Sequence, residues 1–234
     1  MTESERLTAT HPGSMLDFLF GPANMVRGTT KGHDWEGLSY PQARASDRKL
    51  RLFAVACCHR LRPLLQDVRS LRAVAVAAWL ADGTAEPDEV ERAREGAHDV
   101  ELWVEDDVPT RAAMAACYTL EPAARAAARG CAYWAGMGSD GVEDPAVREE
   151  QAILLRDVIG DPFAPVVFVS EWKTENVVGL AQGIYDDHAF DRVPVLADAL
   201  DDAGCADPDI LDHCRGSGHH ARGCWVVDAV LGKE

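Results

Sequence analysis

No apolar run in the 234 residues approaches the roughly 18 uninterrupted positions of a membrane-spanning helix, so a spanning segment is not expected. The N-terminus, Met1-Thr2-Glu3-Ser4-Glu5-Arg6, lacks the basic-then-apolar order of a secretory signal, and a cytoplasmic location is expected. Positive charge is scarce: 23 Lys and Arg face 39 Asp and Glu, for a net charge of -16 and a pI near 4.8. Such a molecule repels phosphate backbones and anionic lipid, which argues against nucleic-acid and membrane-surface binding and leaves basic proteins and metal cations as partners. No glycine-rich phosphate loop follows a strand, and there is no Gly-x-Ser-x-Gly elbow, so nucleotide hydrolysis and acyl transfer have no motif to rest on. No repeat of fixed period is found. The seven cysteines are odd in number, and Cys57 and Cys58 are adjacent, so free thiols in a reducing compartment are expected.

What is present is an ordinary globular composition, 47% apolar and 26% charged, enough to bury a core without disulfides or metals. A first helix is read between Leu7 and Leu19, before Gly21-Pro22. Residues 21–45 show no sustained period and read as a long loop or insertion, with Trp35 and Tyr40 to tie it down. Ser46 is a good N-cap, and Leu50, Phe53, Ala54, Cys57 and Leu61 follow on one helix face, with Leu52, Val55 and Ala56 on the other. Further helices are expected over 67–81 and from Pro87 toward Leu102 and Trp103. One or two more fit the alanine-rich 110–136, with Pro122 and Gly130 as boundaries or kinks. Asp144-Pro145 opens a helix that Gly160 closes. Val166-Val167-Phe168-Val169 is the only β-branched run, a short strand or an extended linker. Thr174 caps a helix through Tyr185, another runs over 194–203, and Asp207-Pro208 opens a short one ending near Gly216. The tail from Cys224 to Leu231 docks as helix or strand. The fold class is therefore mainly α, an irregular assembly of about eight helices with few or no strands. It is read as one domain over 1–234, with a C-terminal subdomain at 161–234.

Two stretches, Ala45-Ser46-Asp47-Arg48-Lys49-Leu50-Arg51-Leu52-Phe53-Ala54-Val55-Ala56-Cys57-Cys58 and Ala189-Phe190-Asp191-Arg192-Val193-Pro194-Val195-Leu196-Ala197-Asp198-Ala199-Leu200, carry a resemblance. With the closing His219-His220-Ala221-Arg222-Gly223-Cys224-Trp225-Val226-Val227-Asp228, the chain resembles a large paralogous family of uncharacterised planctomycete proteins over about two-thirds of its length. That family has no established activity, so the resemblance implies a domain extent and no mechanism.

The densest group of metal-capable side chains is His213, Cys214, His219, His220 and Cys224, with Cys205 upstream. Cys214, His219 and Cys224 have the spacing of the last three ligands of a zinc knuckle, and thiolate and imidazole suit zinc. The knuckle's first cysteine would fall at Leu211, so Cys205 or His213 has to supply the fourth ligand. The competing reading makes the cysteines small buried hydrophobes and places the histidines on an exposed glycine loop. Cys57-Cys58-His59 reads as core packing, because Cys57 and His59 lie about 200° apart on a helix. His33-Asp34 and His98-Asp99 invite comparison with His-Asp phosphohydrolases, but such pairs arise by chance in an Asp-rich chain. Asp186, Asp187, Asp191, Asp198, Asp201 and Asp202 read as a solvated acidic face. The six tryptophans suit core packing. The leading functional expectation is a non-enzymatic acidic helical module for a basic protein partner, with no cofactor. The alternative is a protein binding zinc or another metal, extending to a metal-dependent hydrolase, centred on Cys214, His219, Cys224, Cys205 and His213.

Overall fold

Helix follows helix at the chain's own stop signals in a computed structural model that describes residues 2–21, 24–30, 33–39, 44–101, 108–138, 140–163, 166–216 and 218–233. Pro12 splits the first expected helix into α1 (Glu3–Thr8) and α2 (Pro12–Phe20). Proline suits a first-turn position because the amide it lacks would have no partner there. Residues 21–45, expected to be irregular, contain an antiparallel hairpin of β1 (Asn24–Thr30) and β2 (His33–Ser39), with Asn24 opposite Ser39 and Thr30 opposite His33. Its ladder is made by backbone groups, which leave no apolar alternation in the sequence to be read. The side chain of Trp35, and Tyr40 as a whole, lie outside the described residues.

Ser46 caps α3 (Asp47–Arg60), its Oγ accepting from the Lys49 amide at 3.2 Å, and Asp67 caps α4 (Val68–Ala81) by accepting from the Arg69 amide at 2.8 Å. Then come α5 (Pro87–Glu101), α6 (Val108–Tyr118), α7 (Ala124–Ala135) and α8 (Pro145–Ile159), the last opening on Asp144-Pro145 and closing at Gly160 as expected. The expected run of α5 into Leu102 and Trp103 falls outside the described residues. Residues 166–169 have no strand partner among the described residues. Thr174 caps α9 (Glu175–Asp186), and α10 (Val193–Asp202) and α11 (Pro208–Arg215) follow. The tail is a helix, α12 (Trp225–Leu231). The fold is mainly α, with twelve α-helices among the described residues rather than about eight. Several span only two turns, too short for an apolar period to show.

The apolar interior has two parts. The first gathers α2 to α8 around α3, which packs against α4, α6, α7 and α8 and is buried at every residue from 50 to 58. A helix segment covered on all sides must be apolar all round, and residues 50–58 are, save Arg51. That guanidinium is satisfied by the carbonyls of Thr119 at 2.6 Å and Pro122 at 3.2 Å, beyond the C-terminal end of α6, where helix carbonyls run out of amide partners. Gly130 is no boundary. It sits inside α7, where a Cβ would lie 1.9 Å from Cδ1 of Tyr118, so α6 and α7 approach as closely as they do because position 130 has no side chain. The second part joins α9 to α12.

A sheltered polar network ties the two parts together. Asp228 of α12, 1% exposed, accepts from Arg48 at 2.7 and 3.2 Å and from Lys49 at 2.5 Å, both at the start of α3. Asp82, just past α4, accepts from Arg48 at 2.9 Å, from Tyr185 of α9 at 2.5 Å and from Arg222 at 2.6 and 3.0 Å. Burial opposes ionisation of Asp82, yet the bond from Tyr185 and the Arg222 guanidinium hold its carboxyl below the usual range.

Removing one charge from such a cluster strands the others. Asp228→Asn is expected to cost about 3 kcal/mol, read as a lower urea midpoint at unchanged slope; a loss below about 0.5 kcal/mol would mean that water already satisfies the cations. Gly130→Ala gains about 1 kcal/mol of helix propensity but should lose about 1 to 3 kcal/mol net by overpacking against Tyr118. In a Tyr118→Ala background the same change should become stabilising, and a double-mutant cycle checks this.

Candidate metal centre

Four side chains from distant parts of the chain meet where the two interiors adjoin. Asp157 comes from the last turn of α8, His213 from α11, His220 from the segment after it, and Cys224 from the N-cap of α12. Asp157 is 4% exposed and Cys224 is fully buried. One donor atom from each lies within 4.8 Å of the others. His220 Nδ1 is 2.7 Å and His213 Nε2 is 3.2 Å from Asp157 Oδ1. Cys224 Sγ is 3.3 Å from His213 Nε2 and 3.8 Å from His220 Nδ1. Around a tetrahedral zinc ion, bonds of about 2.0 to 2.3 Å put neighbouring ligand atoms roughly 3.3 to 3.8 Å apart. The separations of 3.2, 3.3 and 3.8 Å are in or near that range, whereas the 2.7 Å between His220 Nδ1 and Asp157 Oδ1 is a hydrogen-bond distance that would open around an ion.

The surroundings orient each donor. The Ala221 amide donates to Asp157 Oδ2 at 2.9 Å, which leaves Oδ1 for the cluster. The rings of His213 and His220 meet edge to face at 4.9 Å, and His213 leans on Trp225 at 5.1 Å. Burial raises the Asp157 carboxyl, but hydrogen bonds from His213 and His220 outweigh it and hold the group below its ordinary value. Burial, and then the Asp157 charge, push the Cys224 thiol well above its ordinary value. In the absence of a cation this cysteine is a protonated, inaccessible thiol, which argues against a nucleophile.

A Cys-His-Asp catalytic triad is a second reading of these residue types, and the geometry rejects it. A triad imidazole faces the nucleophile with one ring nitrogen and the carboxylate with the other. Here His213 turns Nε2 to both, and His220 turns Nδ1 to both.

Of the five expected ligands, the structure brings His213 and Cys224 into this cluster and leaves Cys214, His219 and Cys205 out of it. Successive residues on a helix diverge by about 100°, so with His213 facing the cluster, Cys214 packs into the second interior, its thiol pushed up to about 12 by burial. Residues 219 and 220 lie in the irregular segment between α11 and α12, and their side chains differ in exposure. His220 turns inward and His219 is exposed. Cys205, after α10, is buried in the same interior. Asp157 was missed altogether. Its signal was a carboxylate between Leu154, Leu155 and Val158 in the last turn of a helix, where the helix dipole disfavours negative charge. Elsewhere, His98 Nδ1 lies 3.5 Å from the Cys117 thiol, while the side chains of His33 and Asp34 lie outside the described residues. No family model, curated protein or solved structure matches the chain.

A carboxylate whose folded value is depressed stabilises fully above its unfolded value, about 3.9, and stops stabilising as pH falls through the folded one. In chelator, the stability difference between the parent chain and Asp157→Asn should therefore be flat above about pH 4 and shrink below it. Urea unfolding as a function of pH checks this, and a difference that grew with acid would contradict the assigned hydrogen bonds.

Proposed function

We propose that this chain is a zinc-binding helical protein whose ion is held by Asp157, His213, His220 and Cys224. The observation that carries the reading is that one oxygen, two ring nitrogens and one sulfur lie within 4.8 Å of one another, most of them screened from solvent. A mixed oxygen, nitrogen and sulfur set suits zinc better than the oxygen-seeking calcium and magnesium. A bound cation would reverse the local electrostatics: it would draw the proton from Cys224, whose sulfur already receives the amides of Val226 and Val227. Four protein donors leave no open position, so the ion's role is structural. A cavity of about 130 Å³ bordered by Ile153, Gly218 and His219 gives the ion a way in.

The hydrolase extension would require one of the four ligands to give way to water, and no observation favours that. The interaction-module reading rests on the acidic surface. Asp186, Asp187, Asp191 and Asp202 are exposed, but Asp198 and Asp201 already pair with Arg215 at 3.2 and 2.9 Å. The exposed large apolar side chains among the described residues, Val68, Tyr133, Val142, Ile153, Phe163, Val167 and Val195, are spread over α4, α7, α8, α10 and the loops between helices rather than along one element.

Elemental analysis of protein purified without an affinity tag is expected to find one zinc per chain, falling to about a tenth or less in Asp157→Asn and Cys224→Ser. Cobalt substitution should give tetrahedral ligand-field bands and a thiolate charge-transfer band. That band should disappear in Cys224→Ser and survive in Cys214→Ser. Stripping an ion present at about a thousand times its dissociation constant would remove about 4 kcal/mol, seen as a lower melting temperature in chelator. Protein with no metal, indifferent to zinc and chelator alike, would overturn the reading.

A further inference from the structure

A helix that ends in a left-handed residue closes with a bond from the amide two positions beyond the cap back to a carbonyl in the last turn, and the left-handed position is normally glycine because a Cβ is strained there. Among the described residues this bond is made four times: Thr84 to Trp79 at 2.9 Å, Ala189 to Ile184 at 3.0 Å, Cys205 to Leu200 at 2.9 Å and Lys233 to Asp228 at 2.9 Å. In three of them the left-handed residue is Gly83, Gly204 or Gly232. After α9 it is His188, with φ of 54°, the only non-glycine residue with positive φ among those described. Histidine tolerates this conformation better than most residues but still costs stability relative to glycine. Three ends of the molecule show the better solution, and the fourth carries an imidazole.

That imidazole lines a cleft. Two cavities, of about 390 and 200 Å³, share His59, Ala78, His188 and Arg222 as walls. Apolar side chains floor both: Leu154 and Phe190 in the larger, Val74 and Trp79 in the smaller. The charge on the walls runs against that of the protein as a whole. The side chains of His59, Arg62, His188 and His219 have no ion-pair or hydrogen-bond partner among the described residues, although acids outnumber bases 39 to 23. Arg222 adds a cation already engaged with Asp82, and Asp191 is the one carboxylate among the lining residues. His59 is accessible from the cleft, yet so much protein surrounds it that burial depresses its pKa, and His188, Arg62 and Arg222 push in the same direction. Arg62 and Arg222 are the guanidiniums nearest to it on the cleft wall.

We infer that this cleft binds a small organic anion, a carboxylate or phosphate group carried on an apolar body, with His188 and Arg62 among the groups that receive the charge. The size suits a molecule of metabolite dimensions, and pockets that hold such ligands join apolar walls to a few placed polar groups. In a chain this acidic, an unneutralised guanidinium with imidazoles beside it on an apolar cavity gives an anion a favourable place to leave water. The inference does not rest on the zinc reading: neither His188 nor Arg62 belongs to the ligand cluster.

The probes are phenyl phosphate and benzoate, with phenol and benzylamine as neutral and cationic controls of similar body, titrated by calorimetry into the full chain. One of the two anions is expected to bind with 1:1 stoichiometry, about tenfold or more tighter than either control. Tighter phenyl phosphate would assign a phosphorylated ligand, and tighter benzoate a carboxylate. Arg62→Ala should weaken that binding about tenfold. His188→Gly is the decisive variant, expected to raise the melting temperature by relieving the left-handed residue while weakening the anion. Anions that bind no better than phenol, or binding unchanged in both variants, would overturn the inference.

Discussion

The arrangement of this molecule depends on charges held out of water between its two apolar interiors. Arg48 and Lys49 project from the first turn of α3, where a helix disfavours cations, and they remain because Asp228 of α12 receives both. Tyr185 and Arg222 reach from the second interior to Asp82, at the end of α4. Apolar surfaces alone would let the two halves slide, since burial is roughly proportional to area and indifferent to direction. Hydrogen bonds to charged groups are not indifferent, and a mismatched register would leave buried ions unpaired at a cost of several kcal/mol. The network therefore selects one docking of α9–α12 on α2–α8.

The candidate metal centre inherits that constraint. Asp157 belongs to the helix that closes the first interior, and the other three ligands belong to the second, so the donors converge only when the halves are docked. The segment between α11 and α12 serves both purposes. Within it His220 faces the ligand cluster, Arg222 enters the charge network, the Gly223 carbonyl accepts from Lys49 at 2.7 Å, and Cys224 both supplies sulfur and starts α12. An ion in that cluster would add a second clamp across the same junction, and its binding free energy would become stability of the docked state. Two polar devices a few residues apart make the 219–224 segment the hinge on which the tertiary structure is decided.

Local chemistry was legible in the sequence where it is decided locally. Ser46, Asp144-Pro145, Thr174 and Asp207-Pro208 mark helix starts because a capping side chain satisfies amides within its own turn, and all four open helices. The all-round apolar run of α3 announced a central helix. What escaped was decided at a distance. The β1–β2 ladder is written in backbone pairing rather than in side-chain pattern. Gly130 looked like a breaker because its role, admitting Tyr118, belongs to another helix. The metal-capable cluster lies in the region expected, with His213 and Cys224 among the residues named for it, but knuckle spacing favoured His219 and Cys214, whereas the direction of α11 and the path of the segment after it bring in His213 and His220. Asp157, 56 residues before His213 in the chain, has no spacing relation to the other three and becomes visible only as a carboxylate misplaced on an apolar face.

In a chain carrying 16 more negative than positive charges, cations are the scarce resource, and where they stand is more informative than where the acids stand. Acidic side chains on the surface are accounted for by solvation, and nothing further need be asked of them. Most of the buried or half-buried bases have a structural assignment: Arg51 holds carbonyls at the end of α6, Arg148 those of α7, and Arg48, Lys49 and Arg222 join the two interiors. Outside that set, the solvent-exposed His59, Arg62 and His188 border one cleft, and His188 is kept in a backbone conformation that glycine would occupy at less cost. Strain retained where relief is a single substitution away points to a role other than stability, and a cleft of unpaired bases in an acidic protein defines that role by charge.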